Sequence, residues 1–326
     1  MPPCRMGHAV NAASNRGAAA FDGGAVFVIG AGRSGKTLVC KYLCMHPDVG
    51  WISTYAERFP WCPPIAALNL MVRVAPSSTR AAWFFRGDGA DGLRDRVPSP
   101  TAGRGWLRLV PKPDEGEAIY AACGIPDFAP PAWEISKTQI DRLRRTFDRI
   151  RRCQCAALLV NDRNSNNRRL PQILAAFPAA RFVHVVRDGR AVARAMLRAK
   201  WWNDHEVWWL DRRTPRQWQQ AGGRPLEVAA RTWVEEMREI EEGIREIPQA
   251  QAMQLRYEDL IAGDPREIVR QIAGFLGLPC RRRWLDWVSS VPRFDANQRD
   301  RRPNDADEEI LLQEIQGPTL ARYGYI

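Results

Sequence analysis

Eight consecutive residues, Gly30-Ala31-Gly32-Arg33-Ser34-Gly35-Lys36-Thr37, have the types and spacing to grip an anion. They follow the apolar run Ala25-Val-Phe-Val-Ile29 and lead into Leu38-Val-Cys-Lys-Tyr-Leu-Cys44, a pattern in which a tight turn joins a buried strand to a helix. Backbone amides in such a turn point inward, and the helix adds the positive end of its dipole, so an anion is held largely by main chain. Gly30 and Gly35 allow backbone angles and a close approach that a Cβ would block. As a string the segment satisfies G-x-x-x-x-G-K-T, the pattern of nucleotide hydrolases and kinases. Nucleotide binding is therefore expected of it.

The elements that must position this loop repeat one grammar, a short apolar run followed by a helix. Ala156 to Asn161 precedes a helix near Leu170 to Phe177. Arg181 to Val186 precedes one from about Arg190 to Arg198, and Ala252 to Tyr257 precedes one from about Pro265 to Leu276. Val49 to Ser53 is a further short strand. Alternating strands and helices predict an α/β fold with a doubly wound, mostly parallel sheet and flanking helices, its ligands at the carboxyl ends of the strands. Two longer helices are expected. One starts at the capping box Ser136-Lys-Thr-Gln139 and carries Ile140, Leu143, Phe147 and Ile150 on one face. The other runs from about Leu226 to Glu246 with Trp233, Met237, Ile240 and Ile244. Both read as core scaffolding. Residues 1–24 read as a disordered extension and 25–326 as one domain, with 60–131, rich in Pro, Gly and Arg and poor in periodicity, as an insertion or lid.

Bulk composition adds limits. The net charge of +11 comes almost wholly from arginine, since only five of 48 basic residues are lysines. This suits an anionic partner, although a coding preference for arginine would give the same numbers. Eight cysteines lack a CxxC pair and form neither a zinc spacing nor a secreted disulfide pattern. Residues 1–24 hold no apolar run of signal-peptide length, and no stretch has the apolar length of a membrane span. A cytoplasmic protein without a membrane span is expected.

Phe27-Val-Ile-Gly-Ala-Gly-Arg-Ser-Gly-Lys-Thr-Leu38, followed by His46-Pro-Asp-Val49, resembles the 5′-phosphosulfate loop of the PAPS-dependent sulfotransferase family in its bacterial form. Phe177-Pro-Ala-Ala-Arg-Phe-Val-His-Val-Val-Arg187-Asp-Gly-Arg-Ala-Val-Ala193 resembles that family's 3′-phosphate motif. Leu255-Arg-Tyr-Glu-Asp-Leu260 is similar to its R-Y-E-D-L strand, and Leu320-Ala-Arg-Tyr-Gly-Tyr325 to its closing L-x-x-x-G-Y. The resemblance implies a P-loop-like sulfotransferase fold and PAPS as cosubstrate, with adenosine 3′,5′-bisphosphate as product and no metal requirement. It implies that Gly32, Arg33, Ser34, Gly35, Lys36, Thr37 and Leu38 contact the 5′ end, that Arg33 and Lys36 also act in catalysis, and that Arg187 holds the 3′-phosphate. Arg194, Arg256, Arg301 and Arg302 are further cofactor-binding candidates, with Arg299 beside the last two.

The chain also departs from the family pattern. Ala195 stands where a serine usually contacts the 3′-phosphate, a lost hydrogen bond to a charged group worth about 1.5–3 kcal/mol unless Arg194 or Arg190 compensates. Lys36 replaces the usual first threonine of the loop. Arg163 lies near the family's K-x-P-x-N element and is a candidate to touch the sulfuryl group.

Transfer requires a base for the acceptor's proton. By the resemblance Glu57 is the first candidate, followed by His205 and then His184, which reads better as a core histidine. The acceptor is expected to be a small molecule with an apolar or aromatic part, received as a hydroxyl or amine. Trp201, Trp202, Trp208, Trp209 and Trp218 crowd around His205 and could wall its pocket, or could cover the core or a homo-oligomer contact. Two other readings stay open: an ATP- or GTP-dependent kinase or NTPase, with Asp162 organising magnesium, and a silent binder of nucleotide or nucleic acid. No nucleic-acid partner is expected under the first reading.

Overall fold

The computed structural model describes residues 24–74, 109–126, 134–291, 295, 297 and 306–326. Five strands, β1 (Ala25–Ile29), β2 (Val49–Trp51), β3 (Leu158–Asn161), β4 (Arg181–Val186) and β5 (Ala252–Arg256), form one sheet in the order β2-β3-β1-β4-β5. Every pairing is parallel, with Phe27 opposite Asn161 on one side and Phe182 on the other. Nearly continuous apolar sequence is what a strand covered on both faces requires. Along β1, Val26 and Val28 enter one core cluster while Ala25, Phe27 and Ile29 enter another, the two-residue alternation of a strand sorting side chains to opposite faces.

Phe27 packs against Phe147, Phe177 and Phe182 at ring-centroid distances of 6.3, 5.7 and 5.7 Å. Phe147 comes from the helix Lys137–Cys153, whose expected capping box is formed in full by Ser136 and Gln139. A third cluster lies outside the sheet, where Trp202, Val207 and Leu210 meet Trp233 and Met237 of the long helix Pro225–Arg245. That helix also packs on Gly189–Leu197, the helix after β4. A Cβ on Gly189 would lie 2.5 Å from the Trp233 ring, so the crossing needs glycine.

Of the segment read as an insertion, residues 75–108 and 127–131 lie outside the described residues, as does most of 1–24. The remainder is tied to the sheet. Ser53 bridges Pro113, Thr54 N donates to the Lys112 carbonyl at 2.9 Å, and Asp114 N donates to the Ile52 carbonyl at 3.0 Å. The helix Glu117–Ala122 follows from that junction.

Candidate active site

β1 ends at Ile29, and the chain turns through Gly30, Arg33 and Gly35 at φ of +148°, +66° and +95°. A Cβ on Gly30 would lie 2.3 Å from the Val185 carbonyl oxygen, and one on Gly35 would lie 2.4 Å from the Tyr257 ring. Glycine is needed at both for angle and for space. The helix Lys36–Cys44 begins at Gly35 with no side-chain cap, and Leu38 N and Val39 N turn back to the Gly35 carbonyl, which leaves the Lys36 and Thr37 amides to an anion. The Ser34 hydroxyl is buried and has no hydrogen-bond partner among the described residues. A buried donor of this kind in an anion loop fits a phosphate oxygen.

The loop is held from three other segments. Asn167 accepts from Gly30 N at 3.2 Å and donates back to the Gly30 carbonyl at 2.9 Å. Gly32 N donates to Glu236 Oε2 at 2.7 Å. The Arg33 carbonyl accepts from Arg187 Nη1 at 2.9 Å.

On the β4 side, Arg187 is buried, donates through Nε to Asn297 Oδ1 at 2.9 Å, and lies over the Tyr257 ring at 4.7 Å. Glu258 ties this corner together, accepting from Asp188 N and Asn297 Nδ2, both at 3.1 Å, and from the Tyr325 hydroxyl at 2.8 Å. The Arg256 guanidinium lies over the Tyr325 ring at 4.4 Å. Arg190 pairs with Asp188 at 2.7 Å, and Arg194 pairs with Glu309 at 2.8 Å. Ala195 is buried. Arg299, Arg301 and Arg302 lie outside the described residues.

On the β3 side, Lys36 reaches back over the strand end, donating to the Asp162 carbonyl at 3.4 Å and to Asn164 Oδ1. Thr37 is exposed at its main position yet hydrogen-bonds the Asp162 carboxylate, whose proton affinity is raised by burial and opposed by Lys36. Arg163 is committed elsewhere. Its guanidinium is fully buried, grips Glu117 with two bonds of 2.8 and 2.6 Å, and lies over the Tyr120 ring at 4.1 Å. The cation at the end of β3 is thus the ammonium of Lys36, arriving from the loop.

Glu57 lies in the helix Thr54–Arg58 after β2 and accepts from Ala118 N at 2.8 Å, with its carboxyl raised by burial. His205 stacks against Trp202 at 6.1 Å and meets Trp201 edge-on at 5.3 Å. His184 is enclosed in β4, where burial pushes it down to about 4. Most of the tryptophan segment covers core: Trp202 is buried and Trp209 and Trp218 pack against the same cluster. Trp208 differs, donating to Glu239 at 3.0 Å beneath the Arg168 guanidinium, 4.7 Å from its ring.

Two carboxylates absent from the sequence reading stand beside the loop. Glu236 comes from the Pro225–Arg245 helix, which therefore does more than pack; burial raises its carboxyl, against Lys36 and the Gly32 amide. Glu115 comes from the segment read as a lid, accepts from Asn164 N at 3.0 Å, and is pushed by burial up to about 7. The acid-rich string Pro113-Asp-Glu-Gly-Glu117 was the one signal for it.

A family model described as the sulfotransferase family matches residues 127–282. Omega-hydroxy-beta-dihydromenaquinone-9 sulfotransferase Stf3 of Mycobacterium bovis is 25% identical, over 92% of this chain and 75% of that protein, and its Mycobacterium tuberculosis counterpart matches equally. In fold, the chain is similar to sulfotransferase STF9 from Mycobacterium avium, with a TM-score of 0.56 and 15% identity over 92% of this chain and 76% of that one. It is also similar to STF1 from Mycobacterium tuberculosis H37Rv, with a TM-score of 0.50 and 16% identity over 90% and 76%. The order of loop, arginine strand and R-Y-E-D-L strand agrees with these matches, and the chain is similar to the sulfotransferases in sequence over residues 127–282 and in fold.

Proposed function

We propose that this protein is a sulfotransferase that takes its sulfuryl group from PAPS and passes it to a hydroxyl or amine of a small acceptor with an apolar or aromatic part. The observation that carries this reading is the hydrogen bond from Arg187 Nη1 to the Arg33 carbonyl. It sets a buried guanidinium directly against the anion loop, so two phosphate grips adjoin, as a ribose phosphorylated at 3′ and 5′ requires. The unpartnered Ser34 hydroxyl supports the same fit.

When bound, PAPS supplies an activated sulfuryl group and a bisphosphate leaving group. The residues around it do the rest. Ser34, Gly35, Thr37 and Leu38 hold the 5′-phosphate through hydroxyl and main chain, and Arg187 holds the 3′-phosphate bidentately. Arg33 and Lys36 neutralise the charge that gathers on the bridging oxygen, the preorganised electrostatic role that dominates in-line transfer to or from phosphate. The M. bovis relative is named for a hydroxylated dihydromenaquinone, which supports an apolar acceptor here. Seven free cysteines among the described residues, and no described helix long and apolar enough to cross a membrane, fit the cytoplasmic setting proposed.

The Thr37 contact with Asp162 is the observation that favours a magnesium nucleotide instead. Thermal shift separates the two. Adenosine 3′,5′-bisphosphate without metal is expected to raise the melting temperature and Mg-ATP to leave it unchanged; the reverse result would overturn the PAPS reading.

A further inference from the structure

We propose that Glu115 is the base that removes the acceptor's proton, an assignment that rests on the sulfuryl-transfer reading above. Strand order gives the site a direction. β4, with Arg187, lies on one side of β1, and β3 lies on the other. A cosubstrate with its 3′-phosphate at Arg187 and its 5′-phosphate in the loop would turn its sulfuryl end toward β3, where the Lys36 ammonium sits.

Glu115 is one side chain away from that ammonium. Asn164 accepts from Lys36 on Oδ1, gives its backbone N–H to Glu115 Oε2 at 3.0 Å, and turns its amide toward Glu115 Oε1 at 3.4 Å. The main chain of Glu115 is fixed as well, its carbonyl accepting from Asn161 Nδ2 at 2.8 Å. A carboxylate has about four acceptor positions, so this anchoring leaves lone pairs for an incoming hydroxyl. Glu57 is placed differently. It follows β2 in the helix Thr54–Arg58, with one oxygen bound to Ala118 N and the other buried without a partner among the described residues.

The surroundings suit the task. Burial raises Glu115 to about 7, and Asp162 and Glu117 push the same way against Lys36 and the Asn164 amide. Arg163 is neutralised by its pairing with Glu117, and Glu236 also lies within reach of the Lys36 charge. A base is most effective when its proton affinity matches the working pH. In the step itself the acceptor oxygen bonds sulfur as the bond from sulfur to the 5′-phosphate oxygen breaks. The electron pair leaves on that phosphate oxygen beside Lys36, and the acceptor proton passes to Glu115.

Two measurements on the full chain test this: a carboxyl titration by NMR with labelled glutamate, assigned with Glu115→Gln, and transfer from radiolabelled PAPS to 2-naphthol as probe hydroxyl. The Glu115 signal is expected to titrate near 7. Glu115→Gln is expected to cut turnover about 100-fold or more and to remove the rise in rate through that pH. Its affinity for the bisphosphate at pH 6, where Glu115 holds its proton and the substitution removes little charge, should stay within about twofold, which also shows that the variant folds. A signal in the ordinary carboxylate range, or a variant with the wild-type pH profile, overturns the assignment, and the titration decides even if the naphthol is a poor acceptor. Loss of activity in Glu57→Gln with Glu115→Gln intact overturns it too. A wild-type chain that fails to bind the bisphosphate overturns the PAPS reading instead.

Discussion

At the end of β4, Arg187 meets two protein acceptors, Asn297 and the Arg33 carbonyl, which fix the plane of its guanidinium before any ligand arrives. Preorganisation of this kind lowers the ordering cost of binding. Arg187→Ala is therefore expected to weaken binding of adenosine 3′,5′-bisphosphate by about 2 kcal/mol, with Arg187→Lys recovering little because an ammonium cannot reproduce a planar two-point grip. Isothermal titration would check both, and unchanged affinity in the alanine variant would remove Arg187 from the 3′ site. Gly35 offers a second test. Its φ of +95° and the nearby Tyr257 ring leave no room for a methyl group. Gly35→Ala should lose about 1–2 kcal/mol from the left-handed backbone alone, read as a lower melting temperature.

The Pro225–Arg245 helix shows how one element serves both packing and chemistry. Trp233, Met237 and Ile240 bury its apolar stripe, and Glu236 lies one position before Met237, so it too is carried inward to Gly32. Glu236→Gln keeps an acceptor for the Gly32 amide while removing negative charge beside the anion loop. Bisphosphate affinity is expected to rise several-fold at pH 8 and to change less at pH 5, where the raised carboxyl of Glu236 already holds more of its proton. Equal affinities at both pH values would detach Glu236 from the anion site.

The same helix marks where sequence reading stopped. The loop and all five strands were legible because each is a local pattern of apolar run, glycine and turn, whereas the role given to Arg187 came from a resemblance and stands as a proposal. Glu236 was hidden among neighbouring glutamates, since the phase of a helix against a distant loop is set by tertiary packing. Glu115 was hidden in a segment without periodicity, its place fixed by pairing of Thr54 and Ile52 with Lys112 and Asp114. Arg163 misled for the same reason: its type suited a sulfuryl contact, but Glu117, 46 residues away, claims it.

For the molecule as a whole, acid sensitivity has an identifiable source. His184 is enclosed in the sheet and held down to about 4, against about 6.5 in an unfolded chain. Between those values the unfolded chain binds the extra proton, so the stability contributed is full above about 6.5 and is lost as pH falls toward 4, up to about 3 kcal/mol. Glu57, Glu115, Glu236 and Glu239 work in the opposite sense. Their raised carboxyls favour the folded state most at low pH and lose that contribution as pH rises through their folded values. The difference between wild type and His184→Phe isolates the histidine. Denaturant titrations should show that difference moving toward the variant as pH drops from 6.5 to 4; a constant difference would contradict the account.

The pinning of the glycine loop also bears on the order in which the chain becomes competent. Its amide and carbonyl partners lie 137, 204 and 154 residues away, at Asn167, Glu236 and Arg187. Contacts so distant in sequence close late, after the entropy of long loops has been overcome. A growing chain on the ribosome would hold the loop's residues long before it held the loop's shape. Bisphosphate binding would then report completed folding, and the Gly30 and Gly32 amides should exchange with solvent only as fast as the molecule unfolds globally.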